Sequence, residues 1–510
     1  MGFTESMAGA DEVLAGMKRE ELTGLPPKNL STFTAKPGDQ KITLRWSVSD
    51  TIVDDQILCT VAGIMIRRST EGTPESIFDG DLVTDTATLS GSYEDTGLEN
   101  DTTYYYKAFP YSDHGVHNFN DANAASAAPK AYTLLGFKIK KNESDPAARV
   151  TYTEGAVGLT PASTNLSTGA VDLGDFSEFW FITENKPAMV KADGTIDYYL
   201  NPNDYTKKAD GTASDVSNTG YNGNAMAVIP CTYLKTWQDS TYIYVNVCDI
   251  ELDEDYHAYS HMRADGSVME HIFMAMFEGS LTNNKIRSLK GQSVMNSQTG
   301  TNELTYAANN GSLWSTQSWS QHNLLNMLLV LMFKTTNIQA ALGNGHYNGG
   351  SQASHLLTTG TISDKGQFYG TSGNVAMKCF HIENYYGDQW NRISGCVTDG
   401  NKQILIKPYP PYNTGGTGYT ATGIIPGGTS GGYISAEEGK DYGIIPKTAS
   451  GSETTYTPDG LWFNSNCYAL VGGPCNNGLL VGPFALAVDY AVSYTNWILG
   501  AALSCEQPAA

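Results

Sequence analysis

The segment Trp319–Phe333 (WSQHNLLNMLLVLMF) constrains the fold more than any other part of the chain. It is apolar at many consecutive positions, and a helix of that kind is stable only when surrounded. Lipid is not the surrounding. The most apolar part, Leu324–Phe333, is ten residues interrupted at Asn326, far short of the roughly 20 residues a membrane span needs. The segment is therefore expected to be a buried core helix rather than a surface one. Elsewhere, short runs of alternating apolar residues predict a mainly β chain.

The 510 residues predict roughly three domains at about 150 residues each. Residues 1–25 read as a short helix, with Val13, Leu14, Met17 and Leu22 at helical spacing and Gly24-Leu25-Pro26-Pro27 ending it. A lone helix this short is marginal in water, so it is expected to pack on its own chain or on a partner. The start carries neither a basic region nor an apolar core of the signal-peptide kind. Gly2 and Ser6 match a myristoylation pattern, read as chance because no second membrane signal lies nearby.

Residues 26–133 read as all-β. Ile42, Leu44 and Trp46 alternate with polar neighbours, Ile64–Ile66 and Tyr104–Phe109 form further strands, and turn clusters separate them. Such spacing suggests a sandwich. The pattern Leu44-Arg45-Trp46, then Leu98-x-x-x-Thr102-x-Tyr104-x-Tyr106, resembles a fibronectin type III domain. That resemblance implies a spacer. Residues 134–250 read as a β-rich linking domain, with Phe179–Ile182 as one strand and a second in which Tyr242, Tyr244 and Asn246 alternate with Ile243, Val245 and Val247. Lys207–Asn224 reads as a long polar loop. Residues 251–510 hold that buried helix and Gly-rich loops.

Charge narrows the function. Thirty-one Lys and Arg against 53 Asp and Glu leave a net −22, which argues against nucleic-acid partners and against a polybasic membrane anchor. The eight cysteines are scattered without C-x-x-C or zinc-finger spacing, and reduced thiols are expected. His257 and His261 lie i, i+4, but the H-E-x-x-H glutamate is missing and the surrounding sequence is not helical. Asp249, Glu251, Asp253 and Asp255 fail the calcium-loop pattern because Glu254 stands where glycine is needed. Gly428-Thr429-Ser430-Gly431-Gly432 matches G-x-S-x-G formally but reads as a hairpin loop without triad partners. No phosphate-binding loop occurs. The expectation is no catalytic residue, no metal and no cofactor. A glycosidase-like carboxylate pair stays open, because carboxylate separations are not legible in a sequence.

Residues 401–510 change character. They hold four Lys, no Arg and seven acids, and are rich in Gly, Tyr, Thr, Ala and Asn. A weakly charged surface of small residues with Tyr and Trp is composed like an antibody paratope. The tail Val471–Cys505 reads as strands joined by Gly turns, with Leu486 and Val488 inward. Ala485, Ala487, Asp489, Tyr490, Tyr494, Asn496 and Trp497 are expected on display.

The tail also resembles the variable region of phage tropism-determinant proteins, which have a C-type-lectin fold and are diversified by diversity-generating retroelements. The matching motifs are Gly472-Gly473, Asn477-Gly478, Gly482-Pro483-Phe484, Ala491-Val492-Ser493 and Gly500-Ala501-Ala502-Leu503-Ser504. Upstream, Glu383-Asn384-Tyr385-Tyr386-Gly387-Asp388-Gln389-Trp390 is similar to the Gly-Asn-x-Trp element of that fold. From Gly136-Phe137-Lys138-Ile139-Lys140-Lys141 onward the chain resembles tail receptor-binding proteins of phages from gut Clostridia. Two positions depart from the pattern, Ala502 for an arginine and Cys475 for a tryptophan. The resemblance implies a mainly β, multidomain protein. It would comprise a fibronectin III-like sandwich, a β-rich linking domain and a C-type-lectin-like α+β receptor-binding domain over 251–510. It further implies a virion tail location, tail or baseplate attachment through the N-terminus, a homotrimer, and a bacterial cell-surface receptor as partner. The implied receptor-binding positions are Pro474, Leu479, Leu480, Ala485, Ala487, Asp489, Tyr490, Tyr494, Asn496, Trp497 and Ile498. Of these, Tyr490, Tyr494 and Trp497 are the aromatic anchors. The alternatives are a structural virion protein and a glycan- or cell-wall-acting enzyme.

Overall fold

The computed structural model describes residues 26–48 and 61–509. The expected helix within 1–25 lies outside them. The chain is mainly β and divides into two compact units, Met1–Tyr132 and Thr133–Ala510.

The first unit is a sandwich of two antiparallel sheets. Its strands are β1 (Thr32–Gly38), β2 (Lys41–Ser47), β3 (Gly63–Ser69), β4 (Asp81–Thr86), β5 (Ser90–Thr96), β6 (Tyr104–Tyr111) and β7 (Ala124–Ala127). One sheet runs β1-β2-β5 and the other β4-β3-β6-β7. The period-two pattern buries Ile42, Leu44 and Trp46 in one core with Ile64, Ile66, Tyr104 and Tyr106 from the opposite sheet. Two polar contacts fix the corners: Glu99 N donates to Tyr104 Oη at 3.0 Å, and Tyr106 Oη donates to Asp95 at 2.8 Å.

The second unit is built around the central helix, Trp319–Phe333, all of whose residues are buried. It starts with a capping box: Ser318 Oγ accepts from Gln321 N, and Gln321 Oε1 accepts from Ser318 N. Its polar residues are buried with partners. His322 Nε2 and Asn326 Nδ2 both donate to Pro483 O, at 2.7 and 2.8 Å, and Trp319 Nε1 donates to Tyr442 O. Burial pushes the His322 imidazole down to about 4, so it is neutral at physiological pH. The helix thereby fixes the start of the strand Gly482–Val488.

Three sheets enclose this helix. A seven-stranded sheet includes Lys186–Lys191, Gly223–Pro230, His271–Ala275 and the C-terminal strand Leu503–Glu506. A four-stranded sheet joins Leu134–Lys140, Val150–Glu154, Tyr233–Gln238 and Tyr242–Cys248, whose Ile243, Val245 and Val247 are buried. A ten-stranded mixed sheet carries, side by side, Trp390–Thr398, Tyr468–Gly472, Gly482–Val488 and Thr457–Phe463. No described helix is long and apolar enough to cross a membrane.

Two expectations differ from what is observed. Phe179–Ile182 does not form a strand. Residues Trp180–Thr183 are one helical turn, with Phe181 and Ile182 buried and Trp180 Nε1 bonded to Thr232 Oγ1 at 3.0 Å. Residues 134–250 have no core of their own: Phe137, Val245 and Ile229 share one core with Leu328, Ile393 and Leu486. The division at 250 therefore has no counterpart in the packing.

Candidate functional site

The segment 489–498 lies between Gly482–Val488 and the short strand Leu499–Gly500, which pairs in parallel with Trp390 and Asn391. It has no regular structure, yet its backbone is held throughout. The carbonyls of Tyr490, Val492, Asn496 and Ile498 accept from the backbone amides of Tyr468, Gly300, Ser297 and Trp390, at 2.8–3.0 Å. Those of Tyr494 and Trp497 accept from the side chains of Arg392 and Gln389. Six carbonyls within nine residues are thus tied to the scaffold.

Arg392 is the centre of this clamp. Its side chain is buried, and it donates from Nη1 to Gln298 O at 2.9 Å and from Nη2 to Tyr494 O. It also lies 2.7 Å from the buried Glu303 carboxylate. The two form a buried ion pair, in which the arginine charge favours the ionised carboxylate. Burial outweighs the arginine charge and lifts the Glu303 carboxyl to about 7. Glu303 belongs to the helix Gly300–Ala308, capped by Thr299. Gly300 lets that helix touch the tail, because a Cβ there would come within 2.8 Å of Val492 Cγ2.

The side chains of the clamped segment reach the surface. Tyr494 is exposed, and Tyr490, Asn496, Trp497 and Ile498 are half-buried. Tyr490 and Tyr494 stack with centroids 4.4 Å apart and planes 8° apart, and Asn496 Nδ2 donates to Tyr494 Oη at 3.1 Å. Asp489 is half-buried, its Oδ1 has no partner, and burial raises its carboxyl to about 6. Asp489, Tyr490, Tyr494, Asn496, Trp497 and Ile498 therefore come together on one pinned segment.

The other five expected positions are placed differently. Ala485 and Ala487 are not displayed. They are 0% and 1% exposed, in a small core with Trp390, Leu470 and Leu499, against which Trp462, Tyr490 and Ile498 pack. The expectation of display assumed a sheet with one wet face, whereas here Leu486 and Val488 face the main core and the alanines face a second one. Pro474 is also buried. Leu479 and Leu480 are half-buried in a 3-10 turn held against another loop, where Gly478 N donates to Tyr347 O at 3.0 Å.

The weaker constellations resolve as structural. His261 is buried and bonded to Ser260 Oγ and Ile229 O, while His257 contacts Asp441, so the two do not share a site. Asp253 and Asp255 hold Lys235, and Ser430 Oγ accepts from Phe463 N. A cluster missed in the sequence lies elsewhere. His346, Asp388 and Cys475 are all buried, and one ligand atom from each lies within 4.8 Å of the others. His346 Nδ1 is 2.5 Å from Asp388 Oδ1. Buried Glu278 lies within hydrogen-bonding reach of Asp388 and also bonds Asn384 Nδ2 at 2.8 Å. Burial pushes the Cys475 thiol up to about 12, which makes it inert as a nucleophile although a His–Asp pair stands beside it.

No family model matches the chain, and no curated protein sequence matches it. Among solved structures, the chain is similar to one described as Major Tropism Determinant I1 Variant, at 12% identity and a TM-score of 0.26. The similarity covers 64% of this chain and 82% of that one. At that TM-score it fixes neither fold nor function.

Proposed function

We propose that this chain is a phage tail receptor-binding protein that recognises a bacterial surface receptor with the side chains of residues 489–498. The observation that carries the reading is the clamp: six backbone carbonyls are fixed while Tyr490, Tyr494, Asn496 and Trp497 reach the surface. A recognition surface gains affinity when its backbone is ordered before binding, because less entropy is lost on contact. Stacked tyrosines beside a tryptophan supply rigid contact area. The tail motifs add support, since they resemble the variable, C-type-lectin-like region of tropism determinants. In this reading the first unit is a fibronectin type III-like spacer, the N-terminus joins the tail, and the protein acts as a homotrimer in the virion. A trimer would multiply modest single-site contacts through effective concentration.

The test is adsorption of the labelled full chain to a panel of gut Clostridia, alongside the variant Tyr490→Ala/Tyr494→Ala/Trp497→Ala. Strain-selective binding that the variant loses supports the reading. Equal binding by both proteins removes the site from this segment. Binding to no strain, combined with product release from purified cell envelopes, favours an enzyme.

A further inference from the structure

We propose that His346, Asp388, Cys475 and Glu278 form a closed, structural site for one zinc-class divalent ion beneath the tail. The inference does not depend on receptor binding. The cluster is assembled by the backbone: Asp388 N donates to His346 O at 2.8 Å, Cys475 N donates to Asp388 O at 2.8 Å, and Gly349 N donates to Cys475 O at 2.7 Å. Three separate loops are thereby laced together, and their side chains converge on one point.

The donor set selects the ion. An imidazole nitrogen, a thiol sulfur and carboxylate oxygens make up the mixed set that zinc takes in tetrahedral structural sites. Calcium would require six to eight oxygens. Zinc bonds of about 2.0–2.3 Å place neighbouring ligand atoms about 3.5 Å apart, so the His346, Asp388 and Cys475 ligand atoms, already within 4.8 Å of one another, need only small rotations, and Glu278 would have to swing in to complete the set. Gly349 closes the Nε2 edge of the His346 ring, since a Cβ there would come within 2.3 Å of Nε2. Nδ1 is therefore the nitrogen facing the cluster. An ion entering takes the place of the proton between Nδ1 and Asp388 and widens that 2.5 Å contact. It also displaces the thiol proton of Cys475 to solvent, while His346 binds as a neutral imidazole with its remaining proton on Nε2, so that the Nδ1 proton of a neutral ring moves to Nε2 and that of an imidazolium leaves to solvent.

A second observation points to a missing positive charge. Glu278 is 3% exposed and its Oε1 has no partner, although the carboxyl faces Asp388. Asn384, 2% exposed, gives its amide to Glu278 and leaves its own Oδ1 without a partner. Two buried carboxyls face each other here: Asp388 is held by His346 and by Leu357 N, at 3.0 and 3.2 Å from its two oxygens, while Glu278 has no cationic partner among the described residues. Buried charges are otherwise paired or bound to metal. A divalent ion held by Glu278 and Asp388 removes that deficit.

The experiment uses the full chain, stripped with chelator and titrated with zinc and then with cobalt, beside Cys475→Ser and a control, Cys505→Ser. The expected result is one ion per chain and a near-ultraviolet thiolate-to-cobalt band in wild type and control. Cys475→Ser loses the band and weakens zinc binding at least about tenfold. Should Cys475→Ser fail to fold, wild type alone decides, because an ion that binds only the native state raises its unfolding midpoint. No retained ion, an unmoved midpoint, or a cobalt band that persists in Cys475→Ser overturns the proposal.

Discussion

Replacing Arg392 by methionine should release the clamped segment while leaving the rest of the unit folded. Arg392 gives one hydrogen bond to Gln298 O and one to Tyr494 O, from a buried guanidinium. Hydrogen bonds from a charged donor contribute about 1.5–3 kcal/mol each. The lower end applies because both carbonyls can find water once the segment lifts, which gives about 3 kcal/mol for the two. At about 1.4 kcal/mol per factor of ten, opening becomes roughly 100-fold more frequent. Glu303 adds less than a full ion pair. Its carboxyl already stands at about 7 with the arginine present, so it takes up a proton when left alone. Hydrogen exchange by mass spectrometry reads the opening directly, since the amides of Ser297 and Gly300 donate to Asn496 O and Val492 O. Those two amides should exchange roughly 100-fold faster in Arg392→Met, while amides of the helix Trp319–Phe333 are unchanged. Arg392→Lys should fall between, because an ammonium lacks the planar fork that reaches both carbonyls. An increase below about fivefold, or an equal increase across the unit, would refute the clamp.

Three further outcomes follow from the surrounding structure. Ala485→Leu and Ala487→Leu should each destabilise by about 1–3 kcal/mol through overpacking against Trp390, Leu470 and Leu499, read from urea midpoints; a neutral effect would mean that this second core is loose. Asp459 is buried and accepts from Phe484 N at 2.7 Å, with its carboxyl raised by burial to about 7. The native state therefore keeps a proton that the unfolded chain loses near about pH 4, so stability falls as pH rises from there to about 7. Asp459→Asn should remove that fall, so wild type should lose more stability than the variant between pH 5 and pH 8, and a parallel response would contradict this. Ser318→Ala deletes half of the capping box on the central helix and should cost about 1 kcal/mol by thermal or urea unfolding.

Much of this architecture is legible in the sequence where one physical rule dominates. Trp319–Phe333 reads correctly because a helix apolar at so many consecutive positions has one possible environment. Ile42, Leu44 and Trp46 read correctly because β2 has one wet face and one dry face. Phe179–Ile182 misleads because four apolar residues show no period, and length alone does not separate a strand from a helical turn. Ala485 and Ala487 mislead because alternation identifies the two faces of a strand but not whether both are covered. Here the parallel neighbour Thr457–Phe463 and the returning segment 489–498 supply the second cover. His346, Asp388 and Cys475 form no motif at all. They come from three loops, and only the backbone bonds between those loops bring them together. Small residues next to buried polar ones in a Gly-rich tail were the available signal, and that signal is too common to single them out.

The central claim is that residues 489–498 separate a fixed backbone from replaceable side chains. The most direct measurement is a saturation scan of Tyr490, Tyr494, Asn496 and Trp497, with Ala485, Ala487 and Arg392 for comparison, scored separately for folding and for cell adsorption. The account predicts that the first four tolerate most substitutions for folding but few for adsorption to a given strain, that Ala485 and Ala487 tolerate few for folding, and that Arg392 substitutions leave the unit folded but lower adsorption. Equal intolerance in folding at all seven positions, or adsorption indifferent to the first four, would contradict it.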